Sequence, residues 1–215
     1  MTTENSLREQ ICFWGKSMFD RGLTSGSSGN LSARLEDGFL LTPTNSCLGF
    51  LDPDRLSKLD LSGHHVSGDK PTKGVPLHLS FYAARPQAMG IVHLHSTYAT
   101  AVSCLNDIDP TNVLQALTPY VLMKIGVVPV LPYTEPGEDE IVPYILKAAP
   151  AHSAILLSNH GPVVTAKTFV DAVYAAEEFE ECAKLSLILK NHPYKLIDDV
   201  NVQHLIRKWG GEAVV

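Results

Sequence analysis

Apolar residues in "SLREQICFWGKSMFDRGL" recur at helical spacing and a glycine stands near the end, so an amphipathic helix is predicted to open the chain. A glycine and hydroxyl cluster, "TSGSSGN", follows it. Short segments of β character come next, "NLSARL", "GFLLTP" and "LSKLDL", punctuated by the turn residues of "EDG" and "DPD". "VPLHLSFYAARP" reads as a helix that stops before Pro86, "GIVHLH" as a strand and "TYATAVSCL" as a helix. "VVPVLPY" reads as a strand, and "EDEIVPYILKAA" as a helix whose first turn accommodates Pro143. Two further strands, "AILLS" and "PVVTA", flank "NHG"; a long helix is expected from Thr168 to Lys190, and "VQHLIRKWGG" as a short closing helix. This alternation predicts an α/β or α+β fold. No repeat, low-complexity tract or linker divides the sequence, so residues 1–215 are expected to form one domain.

Composition narrows the function classes. With 215 residues, 45% hydrophobic and 19% charged, the chain can bury a substantial core. A net charge of −6 offers no overall basic field for nucleic acid, so an anionic small molecule would need a local pocket. The opening "MTTENSLREQ" has no apolar signal segment and no apolar run is long enough to span a bilayer. Cys12, Cys47, Cys104 and Cys182 are scattered, without a C-x-x-C pair. A cytoplasmic protein without structural disulfides or membrane contact is expected.

The candidate chemistry starts in "GIVHLHSTYAT". On a strand, residues i and i+2 share a face, so His93 and His95 would present two imidazoles side by side, a spacing that a divalent metal can bridge. Alone, such a pair is more often two hydrogen-bonded structural histidines. His160 shifts that balance, because the Asn-His-Gly of "SNHGPVV" places it in a tight turn at a strand end, where functional groups collect. Three imidazoles would make an open Zn²⁺ site with room for substrate. His64 and His65 are read as loop residues and His152, His192 and His204 as exposed, while His78, on a helix, suits packing or support of a ligand rather than ligation.

Hydroxyl and glycine clusters form the second feature. In "TSGSSGNLS", successive N–H groups with Ser27, Ser28 and the Asn30 amide could form an anion nest, although a Gly/Ser loop alone is more often a plain helix-to-strand connection. Related groupings recur as Thr42, Thr44 and Asn45 in "TPTNS", and as Thr72 and Lys73 in "DKPTKG", just before the helix near Val75. The positive end of that helix would favour phosphate.

Taken in order, S-G-N-x-S at Ser28 to Ser32, "LTPT" at Leu41 to Thr44, H-x-H at His93 and His95, and His-Gly at His160 and Gly161 resemble the class II aldolase/adducin family. The resemblance covers nearly the whole chain. It implies a three-layer α/β/α sandwich around a largely antiparallel central sheet, and a homotetramer with active sites between subunits. It also implies Zn²⁺ on His93, His95 and His160, and a substrate phosphate among Ser27, Ser28, Asn30, Thr44, Asn45, Thr72 and Lys73. Within the family, "IVHLHSTYATAVSCL" and "LTPYVLMKIGVVPVLPYTEPGEDE" look most like the branch that decarboxylates 3-oxo-tetronate 4-phosphates.

One position departs from the resemblance. Where family members carry an acid/base glutamate, four residues before the histidine matching His78, this chain has Gly74. Loss of a positioned acid/base group costs roughly 10²–10⁴-fold in rate. Gly74 therefore allows three readings: an inactivating substitution, a non-catalytic binding relative, or a reaction that needs no such base. Decarboxylation of a 3-oxo acid fits the third, since loss of CO2 itself supplies the electron pair and only a later protonation is required, from water or from an acid such as Tyr120 or Tyr133. Lys73 would offset substrate charge. The sequence therefore points to a zinc-dependent carbon–carbon lyase on a phosphorylated sugar acid, with a sugar-phosphate aldolase and a binding relative as alternatives.

Overall fold

The computed structural model describes residues 3 to 209. Helix α1 (Glu4–Asp20) starts before the apolar pattern does, because the Thr3 hydroxyl accepts from the Ser6 N–H at 3.2 Å and caps it. Strands β1 (Asn30–Arg34), β2 (Gly38–Leu41), β3 (Ser57–Asp60) and β4 (His65–Ser67) follow, then α2 (Val75–Ala84), β5 (Gly90–His93) and α3 (Thr97–Ser103). The second half contains α4 (Pro119–Lys124), β6 (Val130–Leu131), α5 (Val142–Ala148), β7 (Ala154–Leu157), β8 (Gly161–Ala166), α6 (Phe169–Leu189) and α7 (Asp199–Trp209).

The strands form one eight-stranded sheet in the order β4-β3-β2-β1-β5-β8-β7-β6. Every neighbouring pair is antiparallel except β6 with β7. Alternate residues of the inner strands face opposite ways, as strand geometry requires. Val92, Leu156 and Val164 enter a core shared with α1, α3, α4 and α6, whereas Ile91, Ile155 and Val163 enter a second core under α2 and α5. The result is the expected three-layer α/β/α sandwich. All four positions of β5 are buried, and at about 1.5–3 kcal/mol for each fully buried large apolar side chain, this strand is anchored from both faces.

Several local expectations change. His65 lies on edge strand β4, paired only with β3, rather than in a loop; its three exposed residues have no apolar alternation to announce them. The proposed strand over "VVPVLPY" shrinks to Val130 and Leu131, because Pro129 and Pro132 on either side lack the N–H a ladder needs. The acidic segment before α5 opens as a 3-10 turn (Asp139–Ile141). Helix α4, which opens with Pro119, had no counterpart in the pattern reading. In the closing segment, Gly210 and Gly211 lie outside the described residues.

Candidate metal and substrate site

The site forms at one end of the three central strands. Asn30 of β1 pairs with His93 of β5, and His93 with Val163 of β8, so these elements converge at the last residue of β5. Here the strand ends, and His95 lies beyond it rather than on it. Leu94 still reaches Pro162 (N–H to O, 3.2 Å), but β1 begins only at Asn30 and β8 only at Gly161, leaving His95 no ladder on either side. The chain turns instead into α3.

The three imidazoles nonetheless meet. The Nε2 atoms lie 3.2 Å apart for His95 and His93, 3.3 Å for His93 and His160, and 3.0 Å for His160 and His95. Two nitrogens bound to a tetrahedral Zn²⁺ at about 2.0–2.1 Å lie about 3.3 Å apart, so the triangle has the dimensions of one face of such a site. His93 Nδ1–H donates to the Pro162 carbonyl at 2.9 Å, which leaves its Nε2 as a lone pair aimed at the other rings. Burial holds the His93 pKa well below its ordinary value, helped by His160 and His95. Burial, then His95, lowers His160 to about 4, and burial lowers His95 as well. Three neutral imidazoles facing one point suit a divalent cation.

Backbone geometry places His160. Asn159 adopts φ 55°, and a Cβ on Gly161 would fall 2.3 Å from the Leu94 carbonyl oxygen, so only glycine lets this turn approach β5. Helix α3 then ties the turn down. The Thr100 hydroxyl donates to the His160 carbonyl at 3.1 Å, His160 N–H donates to Ser103 Oγ at 3.2 Å, and Asn159 N–H donates to the Ser103 carbonyl at 3.1 Å.

A cleft of about 230 Å³ opens beside the histidines. It gathers Ser27, Ser28, Asn30, Thr44, Asn45, Thr72, Lys73 and Gly74 with His93, His95 and His160. Their roles differ from a uniform nest. Ser28 donates both its N–H (3.1 Å) and its hydroxyl (2.7 Å) to the Ser25 carbonyl, so it closes the loop. Thr42 is buried outside the cleft, where its hydroxyl accepts from Leu31 N–H at 3.2 Å. Thr72 Oγ1 accepts from Gly74 N–H at 3.1 Å and shapes the entry to α2.

Asn30 is held by a buried chain of polar groups. The Tyr82 hydroxyl donates to Ser32 Oγ (2.9 Å), Ser32 donates to His78 Nδ1 (2.7 Å), and His78 Nε2–H donates to Asn30 Oδ1. His78 is fully buried, and burial lowers its pKa to about 3, so it is neutral and carries this proton pattern at neutral pH. The Asn30 NH2 group is left for the cleft.

Gly74 occupies the N-cap of α2 and contributes no side chain there. Its φ of −73° is ordinary for any residue, and an added Cβ would lie 3.2 Å from Asn30 Oδ1. Tyr120 and Tyr133, considered as proton donors, are exposed and do not line the cleft. Glu135 and Glu138 do line it, on a loop that runs close to Lys73, since a Cβ added at Gly137 would itself lie 3.0 Å from Lys73 Cβ. Their only sequence signal was the Pro-Gly turn of "TEPGED" after a strand. Of the other histidines, His152 is half-buried rather than exposed, bonded from Nδ1 to the Val127 carbonyl at 3.0 Å.

A class of protein is now defined. The family description "Class II Aldolase and Adducin N-terminal domain" matches residues 9–187, and the chain belongs to that family. Among its relatives, the 3-oxo-tetronate 4-phosphate decarboxylase of Pectobacterium atrosepticum is 49% identical over 203 residues, covering 93% of each chain. The L-fuculose phosphate aldolase of Methanocaldococcus jannaschii is 37% identical over 182 residues, covering 83% of this chain and 93% of that one. The crystal structure of YgbL from Klebsiella pneumoniae superposes with a TM-score of 0.93 at 45% identity, covering 95% of this chain and 100% of that one.

Proposed function

We propose that this protein is a divalent-metal-dependent carbon–carbon lyase that converts a 3-oxo-tetronate 4-phosphate to dihydroxyacetone phosphate and CO2. The observation that carries the reading is the meeting of three Nε2 atoms within 3.0–3.3 Å at a cleft whose remaining wall is rich in hydroxyl and amide donors. The 49% identity to a decarboxylase over most of both chains supports this reaction over others in the family.

His93, His95 and His160 would hold Zn²⁺ through Nε2. A bound divalent ion supplies Lewis-acid polarisation of the 3-oxo group. Asn30, oriented by His78, donates its NH2 to substrate oxygen, while Thr44, Thr72 and the Lys73 ammonium receive the phosphate. With both ends of the substrate fixed, the bond between the carboxylate and C2 is aligned with the 3-oxo π system. As that bond breaks, its electron pair passes into the C2–C3 unit and CO2 departs. One proton must then reach C2, and Glu135, Glu138 or solvent at the cleft supplies it. Nothing has to be deprotonated first, which fits a site with no side chain at position 74. Aldol cleavage, the second reading favoured by the fuculose-phosphate aldolase relatives, does require a base.

The same proposal includes assembly and location. A homotetramer with subunits meeting near the cleft fits the exposure of His95 in the isolated chain, and four free cysteines fit the reducing cytoplasm. No helix among the described residues is long and apolar enough to cross a membrane.

Metal-loaded protein incubated separately with 3-oxo-tetronate 4-phosphate and with L-fuculose 1-phosphate tests the reading. Release of dihydroxyacetone phosphate from the first and lactaldehyde from the second is followed through separate reductases. Turnover of the first substrate well above the second is expected. Both rates at the metal-free background, in protein shown to contain zinc, would leave a binding protein instead.

A further inference from the structure

Helix α3 touches two of the three histidines of the site. It begins two residues after His95, and through Thr100 and Ser103 it holds the turn that carries His160. Its position therefore sets the distance between two Nε2 atoms on separate segments. What fixes α3 itself is an unusual arrangement at its first turn.

The N-cap residue of α3 is Ser96, a type that ordinarily accepts a hydrogen bond from the N–H at the second or third helical position. Here it makes no such bond, and its buried hydroxyl has no hydrogen-bond partner among the described residues. The free N–H groups are taken from outside the helix. Glu180, in α6, accepts from Tyr98 N–H through Oε1 and from Ala99 N–H through Oε2, both at 2.9 Å. Glu180 is 9% exposed, so this carboxylate is nearly withdrawn from water, and each of its oxygens accepts one N–H from α3. A buried carboxylate without such donors is costly, which makes the pairing mutually binding. α6 in turn packs on β5 and β8, the strands at whose ends the histidines stand.

We propose that Glu180 is a positioning residue for the histidine site, clamping α3 to α6 so that His95 and His160 are held at the separation a metal ion requires. The inference rests on the metal-binding reading above. The clamp replaces a local serine cap, which would fix only the helix's own first turn, with a link between α3 and the element that frames the sheet. Glutamine at position 180 keeps the size of the side chain but presents an NH2 to one of the two N–H donors, so one hydrogen bond is lost and two donors are left facing each other.

The test is zinc affinity of the full-length protein, measured by competition with a chromogenic chelator, together with the visible d–d spectrum of the Co²⁺-loaded protein. Wild type, Glu180→Gln and Thr168→Ala are compared. Thr168 caps α6 at its far end, accepting from Asp171 N–H at 3.0 Å, so its loss lowers stability without touching α3. Glu180→Gln should lose roughly tenfold or more in zinc affinity, the scale for groups that orient ligands from behind, and shift the Co²⁺ bands. Thr168→Ala should keep both at wild-type values. Glu180→Asp, with a shorter carboxylate, should lose affinity in the same direction by less, and serves if the glutamine variant does not fold. Wild-type affinity and spectrum in a folded Glu180 variant would overturn the proposal. So would equal losses in Thr168→Ala, which would reduce the effect to general destabilisation. Failure of the wild type itself to bind zinc would instead overturn the metal reading on which this one stands.

Discussion

The Nε2–H of His78 donates to Oδ1 of Asn30, and this bond decides which end of the Asn30 amide faces the cleft. The amide and the imidazole are 48 residues apart in sequence, and the contact turns a freely rotating side chain into a fixed donor. Replacement of Asn30 by aspartate should keep the bond from His78 but turn a donor into an acceptor facing an anionic substrate. KM for the phosphorylated substrate should rise about tenfold or more, the value of one charge-affected hydrogen bond, with a smaller change in kcat. An unchanged KM in steady-state kinetics would remove Asn30 from substrate binding.

The second expectation concerns the metal. Wild-type protein should carry about one divalent ion per chain, because three imidazole nitrogens leave one position open. His93→Ala and His160→Ala should each lose most of it while retaining the wild-type far-UV circular dichroism spectrum. Elemental analysis decides, and full occupancy in either variant would rule out the triad as the ligand set.

Gly74→Glu tests the empty position beside Asn30. The backbone there accepts any residue, and a new Cβ needs only a small movement of the Asn30 amide. If the cleft can use an acid/base group at that point, turnover should rise roughly 10²-fold or more, with Gly74→Ala as the control for shape. A gain confined to aldol cleavage would strengthen the decarboxylase reading of the glycine form. No gain on either substrate would show that the cleft makes no use of a carboxylate there.

Acid should destabilise the protein partly through His78. Its folded pKa, about 3, lies below the ordinary value of 6.5, so the unfolded chain binds the extra proton. The stabilising contribution is complete above pH 6.5 and declines as pH falls toward 3. In urea titrations of metal-free protein between those limits, His78→Gln should show a shallower loss of stability, by about 1.4 kcal/mol per pH unit for the one missing proton. Parallel slopes would mean that His78 is already protonated in the fold.

Much of this arrangement could be read from the chain, and the exceptions share a cause. Helices with their own caps and strands with apolar alternation were visible locally: Pro143 fell in the first turn of α5, and Thr168 and Lys190 bracket α6 as expected. The histidine triad was visible because residue type and spacing carry it, although His95 reached the site from beyond its strand. The hydroxyl residues were harder. Ser28 and Thr42 have the same chemistry as Ser27 and Thr44, and only the folded backbone reveals that they spend it internally. Glu135, Glu138 and Glu180 were missed because no local pattern distinguishes a carboxylate on a cleft or clamped to another helix from one in water. Strand β4 and helix α4 were missed because short polar or proline-led segments have too few periods to register.

The strands bearing the site, β1, β5 and β8, occupy the middle of the sheet, with β2, β3 and β4 on one side and β7 and β6 on the other. The three histidines thus stand away from both margins of the sheet. An insertion or fusion at exposed Ser62, in the turn beyond β3, lies across β3, β2 and β1 from the metal-site histidines, whereas the adjoining Gly63 stands against Leu79 of α2. Change at the periphery and constancy at the centre are compatible in such a scaffold, and the sheet margins are natural places for attaching new surfaces to an old catalytic floor.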